Sequence, residues 1–342
     1  MTRPHRVTAT TDGTTSTQNT MRAIVQDTYG CADVLRIAQI PRPTVADNQI
    51  LIRVHAAGLD RGTWHLMTGK PYLQRVVLGF RGPRNPVPGR DVAGTVVAVG
   101  PAVTRFSVGD EVYGIGPGSF AEYTVARQDR LARKPANITF EQAAVVPVSA
   151  MTALRALSDV GHVATGQKVL VVGASGGVGS YAVQLAKAFG AEVTGVASTG
   201  KLDLVRTLGA DHVIDYTRDD FANGTDHYDL ILDIAGNPTL SRLRRALTPT
   251  GTAVIVGGEE GGNLTGGMNR QFRALALSPL VRQRLTMLTP KEHATVLERL
   301  TELIEAGQVT PSIDRTYPLE RVPEAMRQLE AGDVRGKIAI TI

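Results

Sequence analysis

The chain of 342 residues contains one cysteine, Cys31. A single thiol can neither close an internal disulfide nor build a cysteine-rich zinc site, so a reducing, cytoplasmic setting is expected. No apolar run reaches the ~18 residues of a membrane span, and no membrane partner is expected. No basic run is dense enough for nucleic acid: the formal net charge is only +5, and Arg242, Arg244 and Arg245 read as a solvated helix face. Residues 1–20 are rich in Thr and have almost no large apolar side chains, so they lack the hydrophobic segment of a secretory signal. Arg3 and Arg6 among scattered Ser and Thr leave an organelle-targeting segment open. The expectation is a disordered tail, because nothing there offsets the entropy of ordering.

What is present is an ordinary globular composition, 42% hydrophobic and 20% charged, in a chain long enough for two domains. Met21–Gln26 reads as the first strand. From there to Pro147 the signals are short: residues 49–54, residues 92–99 and the Val108–Gly114 turn and strand, with Pro83, Pro86, Pro88, Gly89 and Gly94 between. This is the pattern of an irregular β domain.

After Pro147 strand and helix alternate. Lys168–Val172, Glu192–Ala197, Asp211–Ile214, Leu230–Ile234 and Thr252–Val256 read as strands. Helical stretches run to Phe189, over Lys201–Leu208 and over Leu240–Leu247. Such alternation predicts a parallel sheet with crossover helices. Near the end, Val296, Leu297, Leu300, Leu303 and Ile304 mark one face of a helix, and Lys337–Ile342 a closing strand.

The most informative stretch is Val169–Gly179, where an apolar strand enters a glycine turn that opens a helix. Ala174 stands where a Gly-x-Gly-x-x-Gly fingerprint has its first glycine; Gly176 and Gly179 supply the others. In this strand–turn–helix context the segment predicts a dinucleotide site, with Gly176, Gly177 and Val178 offering backbone N–H groups to a pyrophosphate. The end of the second strand separates the cofactors. Sites for NAD commonly place an acid there for the ribose 2′-hydroxyl, whereas this chain has Ala197-Ser198-Thr199-Gly200-Lys201. Two hydroxyls and a lysine suit a 2′-phosphate, so NADPH is expected, with Ser198, Thr199 and Lys201 as its ligands and Tyr216 alongside.

Together these motifs resemble the medium-chain dehydrogenase/reductase family, close to its zinc-independent quinone-oxidoreductase branch. The resemblance runs from Met21 to Ile342. It includes Pro88–Gly94, Val97–Gly100, Val108–Gly114, Gly118–Tyr123, Thr152-Ala153-Leu154, the glycine turn and Gly336-Lys337-Ile338. It implies an α/β architecture with a GroES-like β domain and a Rossmann doubly wound parallel sheet. The corresponding division is 21–147 with 289–342 for the GroES-like catalytic part and 148–288 for the nucleotide part. The active cleft would lie between them, with Thr152, Ala235, Val256 and Gly257 near the nicotinamide and ribose.

Many family members hold zinc through Cys, His and Cys, and this chain departs at each place. Asp60 follows Ala57-Gly58-Leu59, Gly89-Arg90-Asp91 replaces Gly-His-Glu, and a second cysteine is lacking; His55 and His65 flank Asp60 without completing a ligand set. Zinc-free relatives pass hydride to quinones or to activated double bonds. The implied partner is therefore a small electrophilic acceptor, a quinone or an enone or alkenal. Asp60 and Trp64 are the candidates on the substrate side, as an orienting hydrogen-bond group and an aromatic wall, with Tyr72 and Phe80 as lid candidates. Two other readings stay open: a biosynthetic enoyl reductase with a bulky or carrier-bound substrate, and an NADPH-binding redox sensor without turnover. The resemblance also leaves a homodimer open.

Overall fold

The computed structural model describes residues 19–257, 262–288 and 293–342. The expected tail at 1–20 lies outside the described residues up to 18. Its last residue belongs to the first strand, Thr20–Val25, which pairs antiparallel with Arg36–Pro41.

The β-rich part is built on the long strand Gln49–Leu59. Asp91–Val99 lies antiparallel beside it, followed outward by Glu111–Ile115 and Leu131–Arg133. On its other edge Gln49–Leu59 takes Lys337–Thr341 antiparallel, and Ile313–Pro318 follows in parallel. The C-terminal segment thus returns to complete the first sheet. Ile50, Ile52 and Val54 alternate inward from Gln49–Leu59, as a sheet with one covered face requires, and pack on Val92, Val96 and Val112.

The nucleotide part is a six-stranded sheet with every neighbour parallel. Its order is His212–Asp215, Glu192–Ala197, Lys168–Val172, Tyr228–Asp233, Leu247–Ile255, Arg284–Met287. The chain starts in the middle, winds to one edge, returns and winds to the other, so the connection reverses between Lys168–Val172 and Tyr228–Asp233. A crevice opens at such a reversal beyond the strand ends, and that is where a doubly wound sheet binds ligands. Val169, Leu170 and Val171 are fully buried. Helices cover both faces of the sheet, which is why the strand reads as an unbroken apolar run.

Two boundaries differ from expectation. Residue 247 ends no helix: the helix is Leu240–Ala246, and the strand begins at Leu247, five residues before Thr252. The helix expected near the end is Ala294–Glu305, with Leu297, Leu300, Leu303 and Ile304 buried and Val296 at the margin of that face; a further helix, Val322–Glu330, follows it. The expected domain break at 289 lies outside the described residues. Among the described residues no helix is long and apolar enough to cross a membrane.

Candidate active site

The glycine turn links the end of Lys168–Val172 to the helix Gly177–Ala188. Gly173 has φ +86, a conformation that favours glycine, and a Cβ there would lie 2.6 Å from that of Ala235. A Cβ at Gly179 would meet the Gly173 carbonyl oxygen at 2.0 Å, so the helix can press on the turn only without a side chain. Gly176 caps the helix and no side chain bonds to its N-terminus. The first-turn N–H groups are therefore left for an anion, and a 12-residue helix adds its positive dipole end. The cradle fits a pyrophosphate.

The β-rich part reaches directly beneath this cradle. Gly336 N donates to Ser175 O at 2.8 Å. Lys337 Nζ, almost completely buried, donates to Ser149 Oγ at 3.0 Å and lies 3.7 Å from Asp91 Oδ2. Val148 N donates to Asp91 Oδ1 at 3.0 Å, and Oδ2 accepts no hydrogen bond among the described residues. Burial, reinforced by the nearby Asp60 charge, pushes the Asp91 carboxyl up to about 7 despite Lys337. In the sequence Asp91 and Lys337 are visible only as members of separate motifs; nothing in their spacing, 246 positions apart, announces a buried pair.

At the end of the second strand the hydroxyls and lysine have partners of their own. Thr199 Oγ1 donates to Asp215 Oδ2 at 2.5 Å. Asp215 also accepts from Thr217 Oγ1 at 2.7 Å and Thr217 N at 3.0 Å, and these bonds, that from Thr199 foremost, hold its carboxyl below the usual range. Thr199 is thus engaged by an acid that the third strand supplies, not the second. Lys201 Nζ donates to Gly332 O at 2.6 Å and Val334 O at 3.0 Å, and burial lowers its pKa. In this arrangement Lys201 ties the nucleotide strand to the C-terminal segment. Ser198 lies partly exposed beside it, and Tyr216 is 60% exposed. Arg218, which no sequence motif singles out, places its guanidinium 3.7 Å from Asp215 and is largely solvent-exposed.

The strand ends facing the crevice are clamped from behind. Val256 N and Gly257 N donate to Asp233 O at 2.9 and 3.3 Å, and Ala235 N donates to Val172 O at 3.3 Å. Arg270 donates to Pro238 O at 2.9 Å and Gly257 O at 3.1 Å, while its Nη1 lies 2.6 Å from Asp233 Oδ2. Thr152 is one turn into the helix Pro147–Arg155 and turns its hydroxyl back onto Val148 O at 2.6 Å.

A cavity of about 250 Å³ lies in the β-rich part. Leu66, Val77, Leu78, Pro83, Val87 and Pro88 give it apolar walls, with Gln26, Asn85, Arg84 and Arg90 as polar points. Asp60 and Trp64 do not line it. Asp60 is the N-cap of the helix Arg61–Thr68, and its Oδ1 accepts from Thr63 N at 2.7 Å. Trp64, one turn on, faces away: its Nε1 donates to Glu330 Oε1 at 2.8 Å, and its ring packs on the cluster containing Met326. On this helix periodicity turns Leu66, an aliphatic side chain, toward the cavity where Trp64 is turned away. His55 bonds Thr95 Oγ1 at 2.9 Å and His65 bonds Lys70 O at 2.8 Å. Tyr72 N donates to Asn263 O at 2.8 Å, so the segment of the lid candidates meets the nucleotide part; Phe80 is 80% exposed.

Comparison with known proteins agrees with this architecture. A family model described as alcohol dehydrogenase GroES-like domain matches residues 46–136, and one described as zinc-binding dehydrogenase matches 208–340. The 2-methylene-furan-3-one reductase of Solanum lycopersicum is 34% identical over 97% of this chain and 82% of its own length. The chloroplastic NADPH-dependent alkenal/one oxidoreductase of Arabidopsis thaliana is 36% identical over 94% and 79%. The solved quinone oxidoreductase from Coxiella burnetii superposes with a TM-score of 0.84 at 29% identity, covering 94% of this chain and 99% of that one. The chain is an oxidoreductase, and it belongs to the medium-chain dehydrogenase/reductase family.

Proposed function

We propose that this enzyme reduces activated double bonds or quinones with NADPH, without a metal. The observation that carries this reading is an uncapped, glycine-lined helix N-terminus at the switch point of a parallel sheet, alongside a separate, largely apolar cavity. The names of the tomato, Arabidopsis and Coxiella relatives support the acceptor class and the cofactor.

Bound NADPH supplies the hydride; the chain supplies position. Gly176, Gly177 and Val178 hold the pyrophosphate by backbone N–H groups. Ser198 and Tyr216 hold the 2′-phosphate, with Arg218 as the cation. Thr199 and Lys201 act from behind, by fixing Asp215 and the C-terminal segment. Ala235, Val256, Gly257 and Thr152 shape the nicotinamide side of the crevice. Asp60 holds the helix that presents Leu66 to the cavity, and Trp64 docks that helix on Val322–Glu330. A conjugated carbonyl delocalises the charge that hydride addition creates, so no Lewis acid is required, and solvent delivers the proton.

The domain division 21–147 with 289–342 against 148–288 belongs to the same proposal, supported by which strands share a sheet. So do a cytoplasmic setting, supported only by the lone cysteine, and a homodimer, supported only by the family.

The deciding experiment follows oxidation of NADPH and of NADH with a naphthoquinone and with an alkenal, before and after chelator treatment. Chelator-resistant turnover preferring NADPH supports the reading. Metal-dependent turnover overturns the zinc-free chemistry, and NADPH binding without turnover across a broad acceptor panel favours a binding role.

A further inference from the structure

The positive charge of this protein is concentrated in one segment. From Arg61 to Arg90 the chain has six Lys and Arg and no Asp or Glu. The remainder carries 31 Lys and Arg against 32 Asp and Glu, so this segment accounts for the whole excess. The same segment builds the cavity: all of its lining residues except Gln26 and Pro117 fall between Leu66 and Arg90.

Several of these cations have structural roles. Arg75 donates to Gly69 O at 2.9 Å and to Thr68 O at 3.3 Å, and its guanidinium lies over the rings of Tyr29 and Tyr72. Arg61 stacks on Trp64. Arg84 is different: it lines the cavity, is exposed at its rim, and pairs with no carboxylate among the described residues. Arg81, three residues away, is likewise exposed and unpaired among them. Asp27, whose carbonyl lies against Gly82, has its carboxylate on Arg36 at 3.0 Å. Val77, which shares the cavity lining with Arg84, is 69% exposed, and Phe80, next to Arg81 in the chain, is 80% exposed. An apolar wall that includes one guanidinium without a carboxylate partner, Arg84, with a second, Arg81, three residues away in the chain, suits a substrate with an anionic end, because guanidinium binds carboxylate and phosphate with paired, charge-assisted hydrogen bonds.

We infer that the preferred substrate is an amphiphilic α,β-unsaturated carbonyl compound with an anionic group at the end remote from the double bond. Its reactive end occupies the cavity, its alkyl part lies along Val77, Leu78 and Phe80, and its anion meets Arg84 and Arg81. This rests on the reductase reading above and adds the substrate's charge and shape. The anion is a carboxylate on the substrate itself or the phosphates of a thioester carrier such as coenzyme A.

The test compares kcat/KM at saturating NADPH in two matched pairs. One pair is an α,β-unsaturated nonenal and the same nonenal with a carboxylate at its far end. The other is one enoyl group as its N-acetylcysteamine thioester and as its coenzyme A thioester. The expected result is a preference for the anionic member of at least one pair by about tenfold at low salt, the scale of one charge-assisted hydrogen bond at an exposed site. The pair that shows it identifies carboxylate or phosphate. The preference should shrink toward unity as ionic strength rises past about 0.15 M, where surface charges are screened beyond roughly 8 Å. It should also collapse in R81Q/R84Q and invert in R84E. Equal rates within both pairs, with turnover present, overturn this inference and leave the reductase reading standing; no turnover of any member counts against the reductase reading itself. A preference unchanged in R81Q/R84Q overturns the assignment of these arginines.

Discussion

Asp233 and Arg270 face each other at 2.6 Å, yet the arginine gives its well-formed hydrogen bonds elsewhere, to Pro238 O and Gly257 O. Neither Asp233 carboxylate oxygen has a well-formed hydrogen bond among the described residues, and burial pushes this carboxyl up to about 7 against the pull of Arg270. The pair holds two strand-end loops together through charge in a dry place. Removing one partner strands the other, a loss of about 3–5 kcal/mol for a buried pair. We predict that R270M lowers the melting temperature markedly and raises KM for NADPH. R270K should do so less, because lysine keeps the charge but cannot reach both carbonyls with one planar group. Thermal unfolding and steady-state kinetics on the same preparations check this. Unchanged KM in a folded R270M would show that the clamp does not shape the cofactor site.

Asp91 gives stability a pH dependence whose sign is fixed by its environment. Its folded pKa, about 7, lies above the ordinary 3.8. Folding therefore favours the protonated form; this stabilisation is complete below about pH 4 and is lost as pH rises through 7. D91N does not titrate, so its stability relative to the native protein should rise between pH 4 and 7, by about 1.4 kcal/mol for each pH unit at most, and level off above. Denaturant unfolding of both proteins across that range reads the difference. A flat difference would mean that Asp91 is ionised throughout.

The glycine turn distinguishes a backbone clash from a side-chain one. At Gly177 a Cβ would come within 3.0 Å of Lys337 Cδ and 3.3 Å of Ser149 Oγ, groups that can shift. At Gly179 it would strike the Gly173 carbonyl oxygen at 2.0 Å. G179A should thus cost about 1–3 kcal/mol of stability, the range for overpacking, and weaken NADPH binding severely. G177A should fold normally and bind NADPH several-fold less tightly. Calorimetric stability and fluorescence titration with NADPH separate the two effects.

Cofactor choice should depend on Arg218 more than on Lys201. Lys201 is engaged with two carbonyls, whereas Arg218 is the cation left in solvent near Asp215 and Tyr216. R218Q is expected to cut the NADPH to NADH ratio of kcat/KM about tenfold, as expected for one charge-assisted contact to phosphate. K201M is expected to leave the ratio nearly unchanged while lowering stability. The reverse ranking would show that Lys201 swings to the phosphate when NADPH binds.

Trp64 is placed as a joint. W64F loses the bond to Glu330 and part of the ring's packing, so stability should fall by about 1–3 kcal/mol with kcat retained. A large loss of kcat, with KM for the acceptor also changed, would return Trp64 to the substrate site.

Local pattern determined much of this protein. The apolar run Val169–Val172 and the glycines after it specify a strand, a turn and a helix start, because a doubly covered parallel strand has no polar face and the turn has no room for a Cβ at Gly173 or Gly179. The spacing of Leu297, Leu300, Leu303 and Ile304 likewise requires one buried helical face. Tertiary structure decided what each polar group meets. Lys201 ends on carbonyls 131 and 133 positions later, Thr199 on an aspartate from another strand, and Lys337 beside Asp91, because side-chain charge and hydrogen bonding act over a few ångströms of space and ignore distance along the chain. Trp64 shows the same limit: its neighbours in the sequence do not say which face of its helix would meet Glu330, and that was fixed only when the C-terminal segment came back to pack against it.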